Sequence, residues 1–469
     1  MTSQDTFKLS AKERAAYSLG DTASNLMWMF FIYYIQYFYT DVFGLAPAAM
    51  ATMFIVVRLF DSANDPIMGI IADRTNTRWG KFRPYLLWFA IPFGFIGWMT
   101  LTTPDWSPSA KLVYAYVTYS LMMMVYTAIN IPYSALMGVI TNDISERTKV
   151  SSWRFIGAYT GGLIVQALSV YLVVLYGGGT ADAIVDEQFG YSMTGLTYGI
   201  AAAIMFFIAF YFTRERVTPP KKQETNLKND LKDLMHNGPW LILFLIGIAT
   251  LSYVSIRNGS ILYYFKYYAT DKVFYWEAMD WRFDLAATFM IVGTVGTLAS
   301  LMVTGWIAKV LGGKKSAYII LVGLTTIFTL VFYILPADAT GWMFFFQILA
   351  NFLFGPTAAL VWAMYADTAD YSEYKTGRRA TGLVFSAATS AQKLGWTVGG
   401  AMSGFLLSYY GYTANNASPE AINGIKNLIS IIPAVGSAIA AGLMFIYPLN
   451  DNRMNEIQLA LEERRKADQ

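Results

Sequence analysis

One stretch decides the fold: Arg58-Leu59-Phe60-Asp61-Ser62-Ala63-Asn64-Asp65-Pro66, which places charges inside an apolar run that ends near Ala72. Asp61 and Asp65 are four residues apart, so on a helix their carboxylates share one face, with Arg58 one turn before them. A charge at the centre of a bilayer costs about 2.5–3.5 kcal/mol or more, so such carboxylates usually face a partner or a water-filled cavity. The sequence therefore poses the question of which positive group lies against them.

The composition is that of a membrane protein. Of the 469 residues, 55% are hydrophobic and only 14% are charged, whereas an average soluble domain carries about 25% charged residues. The chain has no cysteine, which excludes disulfides, thiolate metal sites and cysteine nucleophiles. The single histidine, His236, lies in a polar stretch, which removes most histidine-based catalysis. The polar start from Met1 to Arg14 lacks an apolar core region, so we expect no cleaved signal peptide.

Twelve segments are long and apolar enough to cross a hydrocarbon core about 30 Å thick as helices. We predict them near 15–42, 46–72, 83–103, 110–140, 152–176, 191–213, 239–268, 284–309, 315–335, 340–366, 380–410 and 423–448. Lysine and arginine concentrate in the loops on one side, whereas the opposite loops carry few of them. By the positive-inside rule, this even number of spans predicts a multi-pass protein of the inner membrane with both termini in the cytoplasm.

A weak internal repeat divides the chain. Pro132-Tyr133-Ser134-Ala135-Leu136 is echoed by Pro356-Thr357-Ala358-Ala359-Leu360, and each is followed by a polar loop containing Ser-Glu. We predict an N-terminal six-helix half at 1–213, a cytoplasmic linker at 214–238, a C-terminal six-helix half at 239–449 and a cytoplasmic tail at 450–469, which we expect to be a solvated surface helix. Two six-helix halves are the layout of major-facilitator transporters, whose substrate sites lie near the bilayer midplane.

Several polar residues inside the predicted spans have a structural explanation. Arg58 can neutralise Asp61 within one helix, and Arg154 near a helix end can reach the interface. Gln347 and Asn351 are typical of hydrogen bonding between helices. For the deeper charged residues we expect function or pairing between helices instead; these are Asp21, Asp61, Asp65 and Lys393.

The two aspartates of the opening stretch suit a cation. Close carboxylates repel one another, so one of them can hold a proton near neutral pH, and their oxygens equally suit a hard monovalent cation. Asn64 and Thr127 would add neutral oxygens. A membrane potential of ~100 mV supplies about 2.3 kcal/mol per charge moved inward. That exceeds the ~1.4 kcal/mol needed for a tenfold substrate gradient.

Five motifs together resemble the glycoside–pentoside–hexuronide:cation symporters, and the resemblance runs from the first helix to the twelfth. The motifs are Leu19-Gly20-Asp21, Tyr39-Thr40-Asp41-Val42-Phe43-Gly44-Leu45, Asp61-x-x-Asn64-Asp65-Pro66-Ile67-Met68-Gly69, Arg78-Trp79-Gly80-Lys81-Phe82-Arg83-Pro84 and Ala366-Asp367-Thr368-x-Asp370-Tyr371. The resemblance implies an all-α membrane protein with the major-facilitator fold, in which twelve transmembrane helices form two pseudo-symmetric halves.

The resemblance also implies where the sites lie. Its cation site falls on Asp61, Asn64, Asp65 and Thr127, and the two aspartates are the metal ligands if the ion is Na+. Its sugar site falls on Asp21, Asn130 and Arg154, and its coupling lysine on Lys393. To the sugar site we add Asn25, which shares a helix face with Asp21, together with Arg257 and Trp396.

Two positions depart from the melibiose-permease type within this family. Asn130 stands where that type has an aspartate, and Ser134 where it has a tryptophan. Loss of a carboxylate at position 130, with Arg154, Arg257 and Lys393 retained, makes the cavity more cationic. The resulting hypothesis is a substrate that carries a carboxylate, such as a hexuronide or a short oligouronate.

We therefore predict a symporter, not an enzyme, that takes up a glycoside or oligosaccharide by alternating access with inward movement of Na+, slightly favoured, or H+. It needs no other cofactor, no nucleic-acid partner and no oligomer. One alternative is a lysophospholipid or amphiphile carrier on the same fold, against which the polar residues argue. Another is a non-transporting sensor, which has no reason to keep the cation residues together. A membrane glycosidase with carboxylates about 5–9.5 Å apart is disfavoured because Asp61 and Asp65 would be buried beside Arg58.

Overall fold

The computed structural model describes residues 9–141, 144–180, 183–216, 234–276, 281–377 and 381–467. These residues form sixteen α-helices, one π-helical segment and four short strands. Helices therefore account for nearly all of the described chain, as the spans found in the sequence predict.

The helices before the predicted linker are α1 (Ala11–Tyr37), continued by the π-helical segment Phe38–Val42, then α2 (Pro47–Arg74), α3 (Arg83–Trp88), α4 (Ala90–Thr100), α5 (Pro108–Ile140), α6 (Ile144–Gly177) and α7 (Glu187–Phe212). Those after it are α8 (Gly238–Tyr267), α9 (Leu285–Leu301), α10 (Thr304–Val310), α11 (Lys314–Val331), α12 (Thr340–Thr376), α13 (Thr381–Tyr409), α14 (Pro419–Ile429), α15 (Ile431–Phe445) and α16 (Asp451–Ala467).

Each predicted span coincides with one helix or with two consecutive helices. The third, eighth and twelfth spans are interrupted, between α3 and α4, α9 and α10, and α14 and α15. The bend between α9 and α10 is 65°. Among the described residues, seven helical segments are long and apolar enough to cross a membrane, with α14 and α15 counted together as Pro419–Phe445. The number is eight when the bent pair α9 and α10 counts as one span.

Two short antiparallel hairpins lie in loops where no strand is predicted. Gly179–Thr180 (β1) pairs with Ala183–Ile184 (β2), and Val273–Trp276 (β3) pairs with Trp281–Asp284 (β4). The second hairpin leads directly into α9, which begins one residue after the predicted start of the eighth span.

The chain divides into two compact units. The first unit comprises Met1–Lys221, Lys272–Ala287 and Thr413–Asn416, and the second comprises Lys222–Asp271, Thr288–Tyr412 and Ala417–Gln469. The hairpin β3–β4 thus groups with the helices of the first unit. The predicted boundaries at 213 and 239 stay a prediction, because residues 217–233 of the linker lie outside the described residues.

In the first unit, α1 and α6 approach closely along a face of small residues. A Cβ at Gly157 or Gly161 would collide with the backbone of Ser18 or Thr22, so only glycine allows this distance. Thr22 Oγ1 donates to the Gly157 carbonyl at 3.0 Å across the contact. This contact places the start of α6 beside the α1 face that carries Asp21.

Glu215, which follows α7, fastens the loop between α2 and α3. Its carboxylate accepts hydrogen bonds from the backbone N–H groups of Lys81 at 2.8 Å, Phe82 at 2.7 Å and Arg83 at 2.9 Å, at the start of α3. Gly80 before them has a φ of +110°, and a Cβ there would overlap the Glu215 carboxylate. The free N–H groups of a helix start favour an acceptor of negative charge.

The second unit has a counterpart of this cap. Asp451 accepts from the backbone N–H of Lys314 at 3.2 Å, at the start of α11, and Gly313 before it has a φ of +104°. The Lys314 ammonium also pairs with Asp367 of α12 and lies 4.0 Å from Asp451.

The C-terminal tail forms a helix, as predicted, but the expectation that it is simply solvated is wrong. Met454, Ile457 and Leu461 of α16 are buried in the hydrophobic cluster of the second unit. Their spacing of three and four residues places them on one helix face, which packs into that cluster.

Candidate functional site

The two aspartates of the opening stretch converge on one hydroxyl in the first unit. Thr127 Oγ1 of α5 lies 3.0 Å from Asp61 Oδ1 and 3.0 Å from Asp65 Oδ1, both on α2. Asp61 is 3% exposed and Asp65 is half-buried. The structure thus brings together three of the four predicted cation-site residues.

Two carboxylates and one hydroxyl meet in this cluster. A threonine hydroxyl carries one hydrogen and can donate it to only one of the two carboxylates at a time. A proton or a monovalent cation among the three oxygens can compensate the remaining negative charge. In the described part of the chain no three His, Cys, Asp or Glu residues come together as a metal site, so the cluster offers two acids and a hydroxyl.

Asn64 and Arg58 flank the cluster differently. Asn64 is half-buried on α2, and among the described residues no hydrogen bond joins it to the cluster. Arg58 Nη1 lies 3.3 Å from Asp61 Oδ2, so the predicted neutralisation within one helix is confirmed. Asp61 therefore offers one carboxylate oxygen to the arginine and the other to Thr127.

Asp21 and Arg154 form a second polar centre in the first unit. Arg154 Nε donates to Asp21 Oδ2 at 2.7 Å, and Nη2 donates to Oδ1 at 3.2 Å. Tyr133 Oη also donates to Asp21 Oδ2 at 2.9 Å. The arginine guanidinium lies 5.0 Å from the centre of the Tyr133 ring. This two-point ion pair with a third donor leaves Asp21 well compensated within its own unit.

The two predicted asparagines bind their own helices through their amide groups. Asn25 Nδ2 donates to the Asp21 carbonyl at 2.9 Å, and Asn130 Nδ2 donates to the Tyr126 carbonyl at 3.0 Å. Each asparagine also has a carbonyl oxygen that can accept from a sugar hydroxyl. Both side chains are half-buried, so neither is sealed in the core.

Arg257 lies in the second unit, in surroundings unlike those of Arg154. Its Nη2 donates to Gln347 Oε1 at 2.7 Å, and its guanidinium lies 5.1 Å from the ring centre of Phe332. Gln347 in turn donates to the Phe289 carbonyl at 3.2 Å, so hydrogen bonding between helices through Gln347 is confirmed. Within the described residues no carboxylate pairs with Arg257, its Nε lacks a hydrogen-bond partner, and the residue is only 8% exposed.

Lys393 and Trp396 lie half-buried on α13 of the second unit. The Trp396 carbonyl accepts from Ser255 Oγ at 3.4 Å, and glycines 395 and 399 bring α13 against α8. The roles predicted for Lys393 and Trp396 stay predictions.

The structure adds Tyr133 to the site and gives the contact of two aromatic residues, Trp28 and Tyr126. Tyr133 holds Asp21 and stacks on Tyr17 with ring centres 4.7 Å apart. Trp28 stacks on Tyr126 at 5.1 Å, next to Thr127 in the chain. The signal for Tyr133 is its place after Pro132 in the repeated motif, whereas a tyrosine in an apolar run otherwise looks like core.

Comparison with known proteins gives the family. The family described as MFS/sugar transport protein matches residues 16–451. A candidate glycoside/cation symporter of Escherichia coli strain K12, YagG, is 36% identical over 465 residues, which are 98% of this chain and 96% of that protein. The isoprimeverose transporter of Lactiplantibacillus pentosus is 34% identical, over 93% and 88% of the two chains. The glucuronide carrier protein homolog of E. coli K12 is 32% identical, over 98% of each.

Solved structures agree on the fold. A D-xylose–proton symporter superposes with a TM-score of 0.63 at 14% identity, over 93% of this chain and 97% of that one. A mutant of the nucleoside transporter NupG superposes with a TM-score of 0.65 at 13% identity, over 93% and 99%. The all-α major-facilitator fold predicted from the sequence is confirmed.

The chain belongs to the MFS/sugar transport protein family. It is an integral membrane transport protein and not an enzyme, as predicted.

Proposed function

We propose that this protein is a symporter that couples inward movement of a monovalent cation to uptake of a glycoside or oligosaccharide. The observation that carries the proposal is the position of Thr127 Oγ1, 3.0 Å from a carboxylate oxygen of each of Asp61 and Asp65. Two acids around one hydroxyl, one buried and one half-buried, are expensive to keep inside a membrane protein. Reversible binding of a cation would explain why the protein keeps these two acids together.

The ion is proposed to be Na+ rather than H+. Asp61, Asp65 and Thr127 supply three oxygens, and Asn64 on the same helix can supply a fourth when the site is loaded. A proton would need only one of the acids, whereas Na+ uses several oxygens. The relative described as a glycoside/cation symporter supports cation coupling without naming the ion.

The test is uptake into membrane vesicles carrying Asp65→Asn. We expect accumulation against a gradient to be lost, with Na+ no longer stimulating uptake. The matched control is Thr52→Val on the same helix, whose hydroxyl donates to the Ala48 carbonyl on an exposed face. Retained uphill accumulation with unchanged cation dependence in Asp65→Asn would refute the cation role. If uptake by the wild-type protein depends on pH but not on Na+, the coupled ion is H+ and not Na+.

The sugar is proposed to bind at the second polar centre of the first unit. Asp21, Asn25 and Asn130 would accept and donate hydrogen bonds to sugar hydroxyls, and Arg154 would orient both Asp21 and the substrate. In the second unit, Arg257 and Trp396 would add contacts and Lys393 would couple sugar and cation. Relatives named for isoprimeverose and for a glucuronide support a glycoside as the substrate class.

The substrate is further proposed to carry a carboxylate. Arg154 already has Asp21 as its counter-charge, so the group that supports this hypothesis is Arg257, which has no carboxylate partner among the described residues. Uptake in vesicles should be inhibited by methyl β-D-glucuronide more strongly than by the matched neutral methyl β-D-glucoside. Inhibition by the neutral glycoside alone would refute the proposal of an acidic substrate. The proposal of sugar symport would be unaffected.

The topology is proposed as predicted: inner membrane, both termini cytoplasmic, and two halves at 1–213 and 239–449 whose motion gives alternating access. The basic loops that include Arg74, Arg78 and Arg83 support this orientation. Fusion of alkaline phosphatase, which is active only outside the cytoplasm, to residue 469 should give no activity, whereas fusion in the 177–190 loop should give activity.

A further inference from the structure

In the first unit, the Arg58 guanidinium contacts the side chains of Asp61, Trp28 and Tyr119. Its Nη1 lies 3.3 Å from Asp61 Oδ2, and its central carbon lies 5.0 Å from the ring centre of Trp28 on α1. The arginine side chain is 12% exposed. An aromatic face attracts a cation more strongly when both are shielded from water, so the ring is a real competitor of the carboxylate for this guanidinium.

Trp28 also lies on the face of α1 that carries the predicted sugar residues. It follows Asp21 by seven residues and Asn25 by three, and positions at these spacings lie on one side of a helix. Its ring stacks on Tyr126 with centres 5.1 Å apart and an angle of 28°. Tyr126 precedes Thr127 in the chain, and its carbonyl accepts from Asn130 Nδ2. One side chain therefore touches both the counter-charge of the cation cluster and the helices of the sugar site.

The charge on Asp61 sets which partner holds Arg58. With no cation present, the full negative charge of Asp61 attracts the guanidinium. A cation or proton among the oxygens of Asp61, Asp65 and Thr127 cancels part of that charge, and the attraction weakens with it. The contacts of the guanidinium with the Trp28 ring and with Tyr119 then gain weight relative to the ion pair, and the guanidinium can shift toward the ring. The orientation of the indole thus depends on whether the cation cluster is loaded.

We propose that Trp28 is a positioning residue that couples cation binding to sugar binding, through its contact with Arg58 on one side and its place on the sugar face of α1 on the other. The proposal rests on the symport function proposed above. Coupling between two sites is a free energy that each ligand exerts equally on the other. Loss of the indole should therefore lower both effects by the same factor.

The test measures that factor in purified full-length protein. The dissociation constant of isoprimeverose, and separately of methyl β-D-glucuronide, is measured by calorimetry with and without Na+, and the constant of Na+ with and without sugar. Wild type should show a coupling of about 5- to 150-fold, the usual range for linked sites. We expect Trp28→Leu to reduce the factor to less than twofold, and Trp28→Phe to keep most of it.

The control is Trp98→Leu. Trp98 lies on α4 of the same unit, and its indole N–H donates to Ser192 Oγ at 3.0 Å. This variant should retain the wild-type coupling factor. An unchanged factor in Trp28→Leu would overturn the proposal, as would an equal weakening of sugar binding with and without Na+, because that result indicates a simple sugar contact. If the wild-type protein has a coupling factor of one for every cation tested, H+ included, the symport function itself is refuted.

A second measurement needs no sugar. Addition of Na+, or a step from pH 8 to pH 6 if the protein is proton-coupled, should change the tryptophan emission of wild type and of Trp98→Phe. Trp28→Phe should lack that change. An emission change of wild-type size in Trp28→Phe, or none in wild type, would overturn the role of Trp28 whatever the substrate is.

Discussion

Arg154 in the first unit and Arg257 in the second are both largely buried arginines assigned to the substrate, but their partners differ. Arg154 forms a two-point ion pair with Asp21, which Tyr133 supports. Arg257 has an amide oxygen from Gln347 and the faces of aromatic rings, with no carboxylate among the described residues. The Asp21–Arg154 site of the first unit is therefore balanced in charge, whereas Arg257 in the second unit carries a positive charge that no described carboxylate balances.

This difference changes how the loss of a carboxylate at position 130 is understood. From the sequence alone, Arg154, Arg257 and Lys393 count alike toward a cationic cavity. Paired with Asp21, Arg154 adds little net charge. An acidic substrate would therefore find its counter-charge in the second unit, and a neutral glycoside would need only the first. The variants that follow separate these two roles.

The largest effect is expected for Arg154→Gln. It leaves the Asp21 carboxylate buried without its counter-charge, which typically costs about 3–5 kcal/mol. Thermal unfolding in detergent should occur at a clearly lower temperature, and uptake of any sugar should fall below detection. The double variant Asp21→Asn with Arg154→Gln should regain stability but not uptake. If Arg154→Gln is as stable as wild type, the Asp21–Arg154 ion pair contributes nothing to stability. The proposed difference between Arg154 and Arg257 would then be wrong.

Arg257→Gln should behave in the opposite way. Removing a buried cation that has no carboxylate leaves no orphaned charge, and the lost hydrogen bond contributes about 1.5–3 kcal/mol, which is offset by the desolvation that the cation no longer needs. We expect a small change in unfolding temperature. Inhibition of uptake by methyl β-D-glucuronide should weaken at least ~10-fold, the ratio that corresponds to ~1.4 kcal/mol, with neutral glycosides unaffected. An equal loss of inhibition by neutral and by acidic sugars would contradict the proposal that Arg257 supplies the counter-charge for the carboxylate of the substrate.

The two units also differ in the carboxylates that cap the starts of α3 and α11. Glu215 is held by three backbone N–H groups, whereas Asp451 is held by one and shares Lys314 with Asp367. Glu215→Gln should therefore lower stability by about 1–3 kcal/mol, since hydrogen bonds to charged groups are the strong ones. Asp451→Asn, at a side chain 42% exposed, should change it by less than about 1 kcal/mol.

The matched control for the caps is Glu456→Gln on α16, whose carboxylate pairs with exposed Arg453 and is itself 64% exposed. It should have no measurable effect on unfolding temperature or uptake. Equal destabilisation by Glu215→Gln and Asp451→Asn would show that the two caps are equivalent.

The parts of the molecule that the sequence predicts are those that depend on local spacing. The spans follow from runs of apolar residues, and the meeting of Asp61 with Asp65 follows from the helical repeat. The contacts of Tyr133 with Asp21 and of Glu215 with Phe82 could not be predicted, because each joins residues more than a hundred positions apart. The buried face of α16 was missed because its three apolar residues are diluted by charged neighbours, and only packing reveals them.

The smallest expected effect concerns Asp284, another acid of the first unit, which caps the start of a helix. Its Oδ1 accepts from the Ala287 N–H at 2.7 Å, at the start of α9. Burial raises the pKa of this carboxyl from 3.8 to about 6. The pKa of Asp284 is higher in the folded protein than in the unfolded chain. The protonated carboxyl therefore makes its full contribution to the free energy of unfolding below about pH 4, and this contribution is lost as the pH rises through 6.

Asp284→Asn keeps an oxygen that can accept from Ala287 but removes the charge. We expect its unfolding temperature in detergent to exceed that of wild type by about 1–2 °C at pH 7.5, and to equal it at pH 4. The matched control is Asp105→Asn, an exposed residue of the first unit, which should show no difference at either pH. A gain of the same size at both pH values would mean that the charge of Asp284 plays no part. The balance of charge in the first unit would then rest on the Asp21–Arg154 pair and the Asp61–Arg58 pair.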